Sequence, residues 1–358
     1  MKKILILIFG IFILCKTVNA SYIVYDMDNN RVLKEVNMNE KHLVASTSKI
    51  MTAIVAIENG NLNNIVTVTK DILTAVGSSI YLEIGEKISM KDLLYGMLLR
   101  SGNDAATMIA INISGSMEEF TKLMNEYAKK IGMNDTIFYN SHGLENEYGL
   151  GNTSTAYDMA VLTTYAMQNE KFRNIFGTKK YITNSDRKNY SWQNKNKLLK
   201  YDYITGGKTG YTRKAKRTLV TTGIINNTNI VVVTLNDSND WENHKNFYKY
   251  IEKNYQNEKV LNKNNFSLDT KNLFIEDTLY IKNNFNLLIT NNEKKYINIK
   301  YFLNSDDSYD NGDIVGYASI YLKGKEIGNE DIYIKKGKRK NKIKNFFQKL
   351  FKKMLIKL

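Results

Sequence analysis

The chain has 358 residues, 43% of them hydrophobic and 24% charged, which is ample for a sizeable core and points to two domains. A net charge of +15 would suit a nucleic-acid binder, but eleven Lys and Arg with no Asp or Glu fall in residues 335–357 and three more lysines in the first twenty, leaving about +1 for the body. The basicity is a tail, which argues against a nucleic-acid groove, and the single cysteine, Cys15, excludes disulfide and thiol chemistry once the leader is removed.

In chain order, Lys2 and Lys3, an apolar run over 4–14 and Val18-Asn19-Ala20 form a secretory signal. The run is short for a bilayer span, so cleavage after Ala20 is expected. Leu14 before Cys15 is a poor fit to a lipoprotein site. Residues 21–37 read as two strands around an Asp28-Asn29-Asn30 turn. A helix over 46–59 follows, apolar nearly all round through Ile50, Met51, Ala53, Ile54, Val55, Ala56 and Ile57, and it stops at Gly60. Such a helix belongs in a core. Ser89-Met90-Lys91-Asp92 opens a helix that runs to about Leu99, "RSGNDAATMIAINI" turns into another, and Ser116-Met117-Glu118-Glu119 caps a third that ends at Gly132. A loop rich in Gly, Asn and Ser spans 140–153, and 155–167 is helical. "ITGGKTGYT" and "RTLVTTGIINNTNIVVVTLN" give strands, the last two joined at Asn226-Asn227, and a helix over 241–255 closes the first domain. Strands flanking a helical middle make an α+β layout, not a doubly wound one. From about 256, short alternating runs predict a small all-β domain of some 75 residues without a catalytic constellation. In the tail, Ile343, Phe346, Phe347, Leu350, Phe351, Met354, Leu355 and Leu358 fall on one face of a helix with lysines opposite. That pattern lies in a membrane interface.

Three short motifs carry the chemistry. Ser46 and Lys49 stand three apart at the head of the buried helix, where a lysine must be paired, or desolvated and partly neutral. A desolvated lysine is a base near neutral pH. The spacing alone is weak, since Ser185 and Lys188 repeat it in a polar stretch with no apolar helix behind. Ser101-Gly102-Asn103 sits in a turn between two helices, and Lys208-Thr209-Gly210 on a strand preceded by Gly206 and Gly207. Read singly, each is ordinary punctuation or surface. Together they hold what serine acyl transfer needs: a nucleophile with a base, polar groups presented to a cleft, and a strand that a peptide can approach edge-on, with Lys208 and Thr209 to hold a carboxylate. The chain has no Gly-x-Ser-x-Gly elbow and no His-Glu-x-x-His, and its three histidines, His42, His142 and His244, form no clear metal cluster. His142 in a loop is more ordinarily structural than a base.

Ser-x-x-Lys, Ser-Gly-Asn and Lys-Thr-Gly in this order resemble the serine D-alanyl-D-alanine carboxypeptidases, the low-molecular-mass penicillin-binding proteins, over roughly residues 21–255. The likeness is strongest in "YLEIGEKISMKDLLYGMLLRSGNDAA", "FYNSHGL" with "STAYDMA", and "TGGKTGYT". The resemblance implies a β-lactamase/transpeptidase-like domain, an antiparallel sheet with helices, followed by the small β domain (256–334) and the amphipathic helix (335–358). It also implies roles. Ser46 would be acylated by the penultimate D-Ala of a peptidoglycan stem peptide, with Lys49 as base and Ser101 as proton relay. Asn103 would steady the substrate and Lys49. Lys208, Thr209 and Gly210 would bind the substrate, and the N–H groups of Ser46 and Tyr211 would form the oxyanion hole. β-Lactams would acylate the same serine, and no metal or organic cofactor is implied. Two positions depart from the family pattern: Val44 stands where Pro is usual, and Ala215-Lys216-Arg217 replaces Ala-Gly-aromatic. The rival readings are a serine β-lactamase, for which Glu147 to Gly151 is a partial echo of the deacylating motif, and a non-catalytic peptidoglycan-binding protein.

Overall fold

The computed structural model describes residues 20–269, 274, 277–304 and 309–337. The expected signal, Ala20 excepted, and the amphipathic stripe from Ile343 onward lie outside them. The described residues divide into two compact units: 20–24, 33–222 and 231–245 in the first, and 25–32, 223–230 and those from 246 to 337 in the second.

The α+β layout is present. β1 (Ser21–Asp26) and β2 (Arg31–Val36) form a hairpin, and β3 (His42–Leu43) leads through a 3-10 turn (Ala45–Ser48) into α1 (Lys49–Asn59). β4 (Ile65–Thr67) pairs with β5 (Lys87–Ser89), and α2 (Met90–Arg100), α3 (Asn103–Ser114) and α4 (Met117–Lys130) follow. β6 (Thr153–Ser154) pairs back to β3 ahead of α5 (Ala156–Met167) and α6 (Glu170–Phe176). The caps sit where the residue types predict: Ser89 accepts from the N–H of Asp92 at 3.0 Å, Ser116 from Glu119 at 3.1 Å and Thr155 from Asp158 at 3.0 Å. α1 is the centre of the packing. Lys49 through Ile57 are all buried, and the helix touches α2, α3, α4, α5 and α6. Each large aliphatic side chain buried there contributes about 1.5–3 kcal/mol.

The hairpin β7 (Lys180–Asn184) and β8 (Asn189–Gln193) and the short α6 are not foreseen in the sequence. The hairpin disposes of the second Ser-x-x-Lys: Ser185 and Lys188 form its turn, with Ser185 Oγ accepting the Lys188 N–H at 3.2 Å. β9 (Ile204–Thr212), β10 (Lys216–Ile225) and β11 (Thr228–Leu235) complete a five-stranded sheet ordered β2-β1-β11-β10-β9, which leaves β9 as an edge. Asn226 and Asn227, at φ +50° and +58°, make the tight turn between β10 and β11. α7 (Asp240–Asn254) follows.

In the second unit β12 (Gln256–Leu261) pairs with β14 (Phe285–Ile289). β13 (Thr278–Ile281), β15 (Ile297–Leu303), β16 (Ile314–Leu322) and β17 (Lys325–Lys335) form an antiparallel sheet ordered β13-β17-β16-β15. Leu261, Ile281, Val315, Ile320, Ile332 and Ile334 fill its core. Glu293 takes Arg31 Nη2 at 2.6 Å and Lys323 Nζ at 3.0 Å, and its carboxyl is held at about 2 despite its burial, by the Thr290 N–H and these two cations.

Candidate active site

Ser46 and Lys49 lie on the 3-10 turn and the first residue of α1, and their spacing closes Lys49 Nζ to 3.1 Å from Ser46 Oγ. Ala45 before them stands at φ +47°, a left-handed backbone that costs a non-glycine residue about 1–2 kcal/mol. Lys49 is 0% exposed. Its Nζ also meets Asn103 Oδ1 at 2.7 Å and the carbonyl oxygen of His142 at 2.5 Å. Nζ donates to all three oxygens, Ser46 Oγ among them, and loss of one proton would turn its lone pair toward the Ser46 hydroxyl. The electrostatics favour that loss. Burial first, then the cations Lys208 and Lys195, hold the Lys49 ammonium well below its ordinary range, with Asp104 opposing them.

Ser101 caps the C-terminus of α2 at φ +65°, and the reversal sends Asn103 into the start of α3. Asn103 is fixed from behind, since its Nδ2 donates to Val76 O at 2.6 Å and its N–H to Ser78 O at 2.7 Å. The 76–82 loop is itself anchored by the buried carboxylate of Asp104, which takes the N–H groups of Ile80 and Leu82, each at 3.1 Å, and the Ser79 hydroxyl at 2.5 Å. Lys195 Nζ reaches Ser78 Oγ at 3.1 Å.

The third motif comes from the edge strand β9, which packs against the 3-10 turn. Lys208, 2% exposed, donates to Ser101 Oγ at 3.0 Å and to Thr209 O at 2.6 Å. Burial, then Lys195, pushes its ammonium down to about 7. Gly210 permits the approach. A Cβ there would stand 2.3 Å from Thr218 Oγ1 and 3.0 Å from the backbone nitrogen of Ser46. Thr209 is half-buried and Tyr211 is 64% exposed; neither is hydrogen-bonded to Ser46 among the described residues. The structure therefore joins Ser46, Lys49 and Asn103 in one network and Ser101 with Lys208 in a second, with Gly210 against the serine. It leaves Thr209 and Tyr211 beside them on the strand.

Both departures from the family pattern have local accounts. Val44 sits at φ −100° and donates its N–H to Asn152 O at 3.0 Å, a bond proline lacks. Lys216 occupies φ +57°, where glycine costs nothing, and Arg217 pairs with Asp240 at 2.7 Å and lies over the Trp241 ring. The histidines are apart from one another. His42 bonds Ser21 Oγ, and His244 bonds Thr221 and Thr234. His142 serves the site through its carbonyl, while its ring is held down at about 3 by burial and then by Lys49. Val76 O and His142 O escaped sequence reading because a backbone carbonyl has no residue signature; the loop residues Ser78 and Lys195 belong to no motif.

A family model described as D-alanyl-D-alanine carboxypeptidase matches residues 15–239. The chain belongs to that family. A second model, the C-terminal domain of penicillin-binding protein 5, matches residues 255–340. D-alanyl-D-alanine carboxypeptidase DacF of Bacillus subtilis is 34% identical over 239 residues, covering 65% of this chain and 61% of the relative. The chain thus spans about 60% of the length of the curated relatives it matches first. Among solved structures, a D-alanyl-D-alanine carboxypeptidase from Mycobacterium tuberculosis superposes with a TM-score of 0.58 at 31% identity over 60% of this chain and 81% of that one. Penicillin-binding protein 5 from Haemophilus influenzae superposes with a TM-score of 0.70 over 88% of this chain and 96% of that one; at 22% identity this shows the shared two-part fold.

Proposed function

We propose that the chain is a serine D-alanyl-D-alanine carboxypeptidase that removes the terminal D-Ala from peptidoglycan stem peptides through an acyl-enzyme on Ser46. The observation that carries the reading is the fully buried Lys49 amine, 3.1 Å from Ser46 Oγ and hydrogen-bonded to Asn103 Oδ1 and His142 O. Lys49 takes the Ser46 proton as Oγ attacks the penultimate carbonyl. The oxyanion forms against the N–H groups of Ser46 and Tyr211. Collapse breaks the peptide bond, and the proton passes from Lys49 by way of Ser101 to the departing amine of D-Ala. Water then attacks the ester and frees Ser46. Lys208 with Thr209 and Gly210 on the edge strand receives the terminal carboxylate, and β-lactams acylate the same serine.

A β-lactamase of the class A type needs a carboxylate to drive deacylation, but Glu147 is exposed and Glu145 is engaged by Thr212 Oγ1, so the carboxypeptidase reading is preferred. The reading extends to the ends of the chain. Residues 1–20 act as a secretory signal, 21–255 as the catalytic domain, 256–334 as a β domain, and 335–358 as an amphipathic helix that holds the enzyme on the outer face of the cytoplasmic membrane. Its support is sequence pattern, with the basic face toward anionic lipid. No helix among the described residues is long and apolar enough to cross a membrane.

The test is release of free D-alanine from an N-acylated peptide ending in D-Ala-D-Ala. The wild-type chain releases it, and Ser46→Ala and Lys49→Ala do not. A folded wild-type chain that neither releases D-alanine nor is acylated by penicillin would overturn the reading.

A further inference from the structure

Away from Ser46, the first unit contains a cavity of about 530 Å³ between the turn that follows α1, the first half of α2, and α6. Its size suits one or two sugar rings. Lys91 on α2 and Lys171 on α6 bring two cations to it from different elements. Among the described residues neither has an acidic partner within 4.0 Å, so both charges are open to a ligand. The side-chain amides of Asn63 and Asn174 also line it and make no hydrogen bond within the described protein. Ile175, 3% exposed, supplies an apolar floor. Tyr95 supplies an aromatic wall whose ring is held against Tyr181, with centroids 3.6 Å apart.

We propose that this cavity binds an anion-bearing sugar, a pyranose that carries a carboxylate or a phosphate. The apolar floor and tyrosine suit the C–H face of the ring, the two amides its hydroxyl and acetamido groups, and the lysines its charge. A bare anion uses the lysines alone and leaves the amides idle. The position gives the site a purpose on a polymeric substrate. Lys91 and Ser101 bracket α2, so at 1.5 Å per residue the cavity lies about 15 Å along the helix from the Ser-Gly-Asn turn. A polymer held there keeps its neighbouring units close to the cleft. Binding does not depend on chemistry at Ser46, so the two readings fail separately.

The experiment is saturation-transfer NMR on the full chain with three sugars of one ring type: N-acetylmuramic acid, N-acetylglucosamine 1-phosphate and neutral N-acetylglucosamine. At least one acid sugar binds about tenfold more tightly than the neutral one, and the double variant Lys91→Ala, Lys171→Ala reduces it to the neutral level. The acid that binds more tightly identifies a carboxylate or a phosphate source. The variant retains the wild-type rate of acylation by penicillin, which establishes that it is folded. Failure of both acids to bind, equal binding of the neutral sugar, or unchanged binding in the double variant overturns the proposal. Competition by inorganic phosphate as effective as that by the acid sugars would overturn its sugar component.

Discussion

Replacing Asn103 by Asp tests the protonation state on which the chemistry depends. Asn103 Oδ1 lies 2.7 Å from Lys49 Nζ, so the substitution sets a full negative charge against the buried amine. Coulomb's law with an effective dielectric constant of about 20 gives about 6 kcal/mol at that separation, or roughly four pKa units. Burial, Lys208 and Lys195 depress the Lys49 ammonium, and the new carboxylate works against all three. With half of that effect realised, the acid limb of the acylation profile moves up by about two units, and at pH values below the wild-type limb the rate falls about a hundredfold. The assay is the second-order rate constant for acylation by a fluorescent penicillin between pH 5 and 10. Asn103→Ala is the control, because it removes the same hydrogen bond without adding charge and so lowers the rate without carrying the limb upward. A folded Asn103→Asp variant with the wild-type acid limb would refute neutral Lys49 as the base.

Other residues give independent outcomes. Lys208→Ala strips the cation from Ser101 and from the proposed carboxylate site, so acylation falls at least about thirtyfold, and its acid limb rises because one charge depressing Lys49 is gone. In the wild type, Lys208 titrates at about 7, so KM for a D-Ala-D-Ala peptide increases as pH rises through that value and the cation is lost. Gly143, at φ +92°, would place a Cβ 2.0 Å from Ala45 O; Gly143→Ala therefore costs about 2–4 kcal/mol in urea unfolding and slows acylation by shifting the His142 carbonyl. His244 is buried neutral with its pKa lowered to about 3, so the unfolded chain binds the extra proton between about 3 and 6.5; its contribution is present above 6.5 and lost as pH falls. On going from pH 7 to 4.5, His244→Gln loses about 2–3 kcal/mol less stability than the wild type, and an equal loss would refute the assignment.

The sequence carried most of what side-chain identity can encode. The apolar run after Lys49 announced a core helix because no face of it was polar, and Ser89, Ser116 and Thr155 marked helix starts through their capping oxygens. Motif order brought Ser46, Lys49, Ser101, Asn103 and Lys208 onto one short list, whereas spacing alone did not separate Ser46-Lys49 from the hairpin turn at Ser185-Lys188. What stayed hidden depends on backbone and on partners distant in sequence. The carbonyls of Val76 and His142 orient Asn103 and Lys49, and any residue type supplies a carbonyl. α6 is only two turns long and β7 buries no side chain fully, so neither left a strong period; β8 does alternate, with Tyr190 and Trp192 buried between exposed polar residues, but at five residues it is too short to stand out. Asp104 read as one more acidic residue in a helix; its task of holding the 76–82 loop is visible only once the loop is folded over it.

The central claim is that Ser46 is the acylated nucleophile. Incubating the full chain with penicillin and following the proteolytic peptide that contains Ser46 by mass spectrometry over time tests it most directly. The account predicts a long-lived adduct on that peptide, absent in Ser46→Ala. An adduct on another residue, or none on folded wild-type protein, would contradict it.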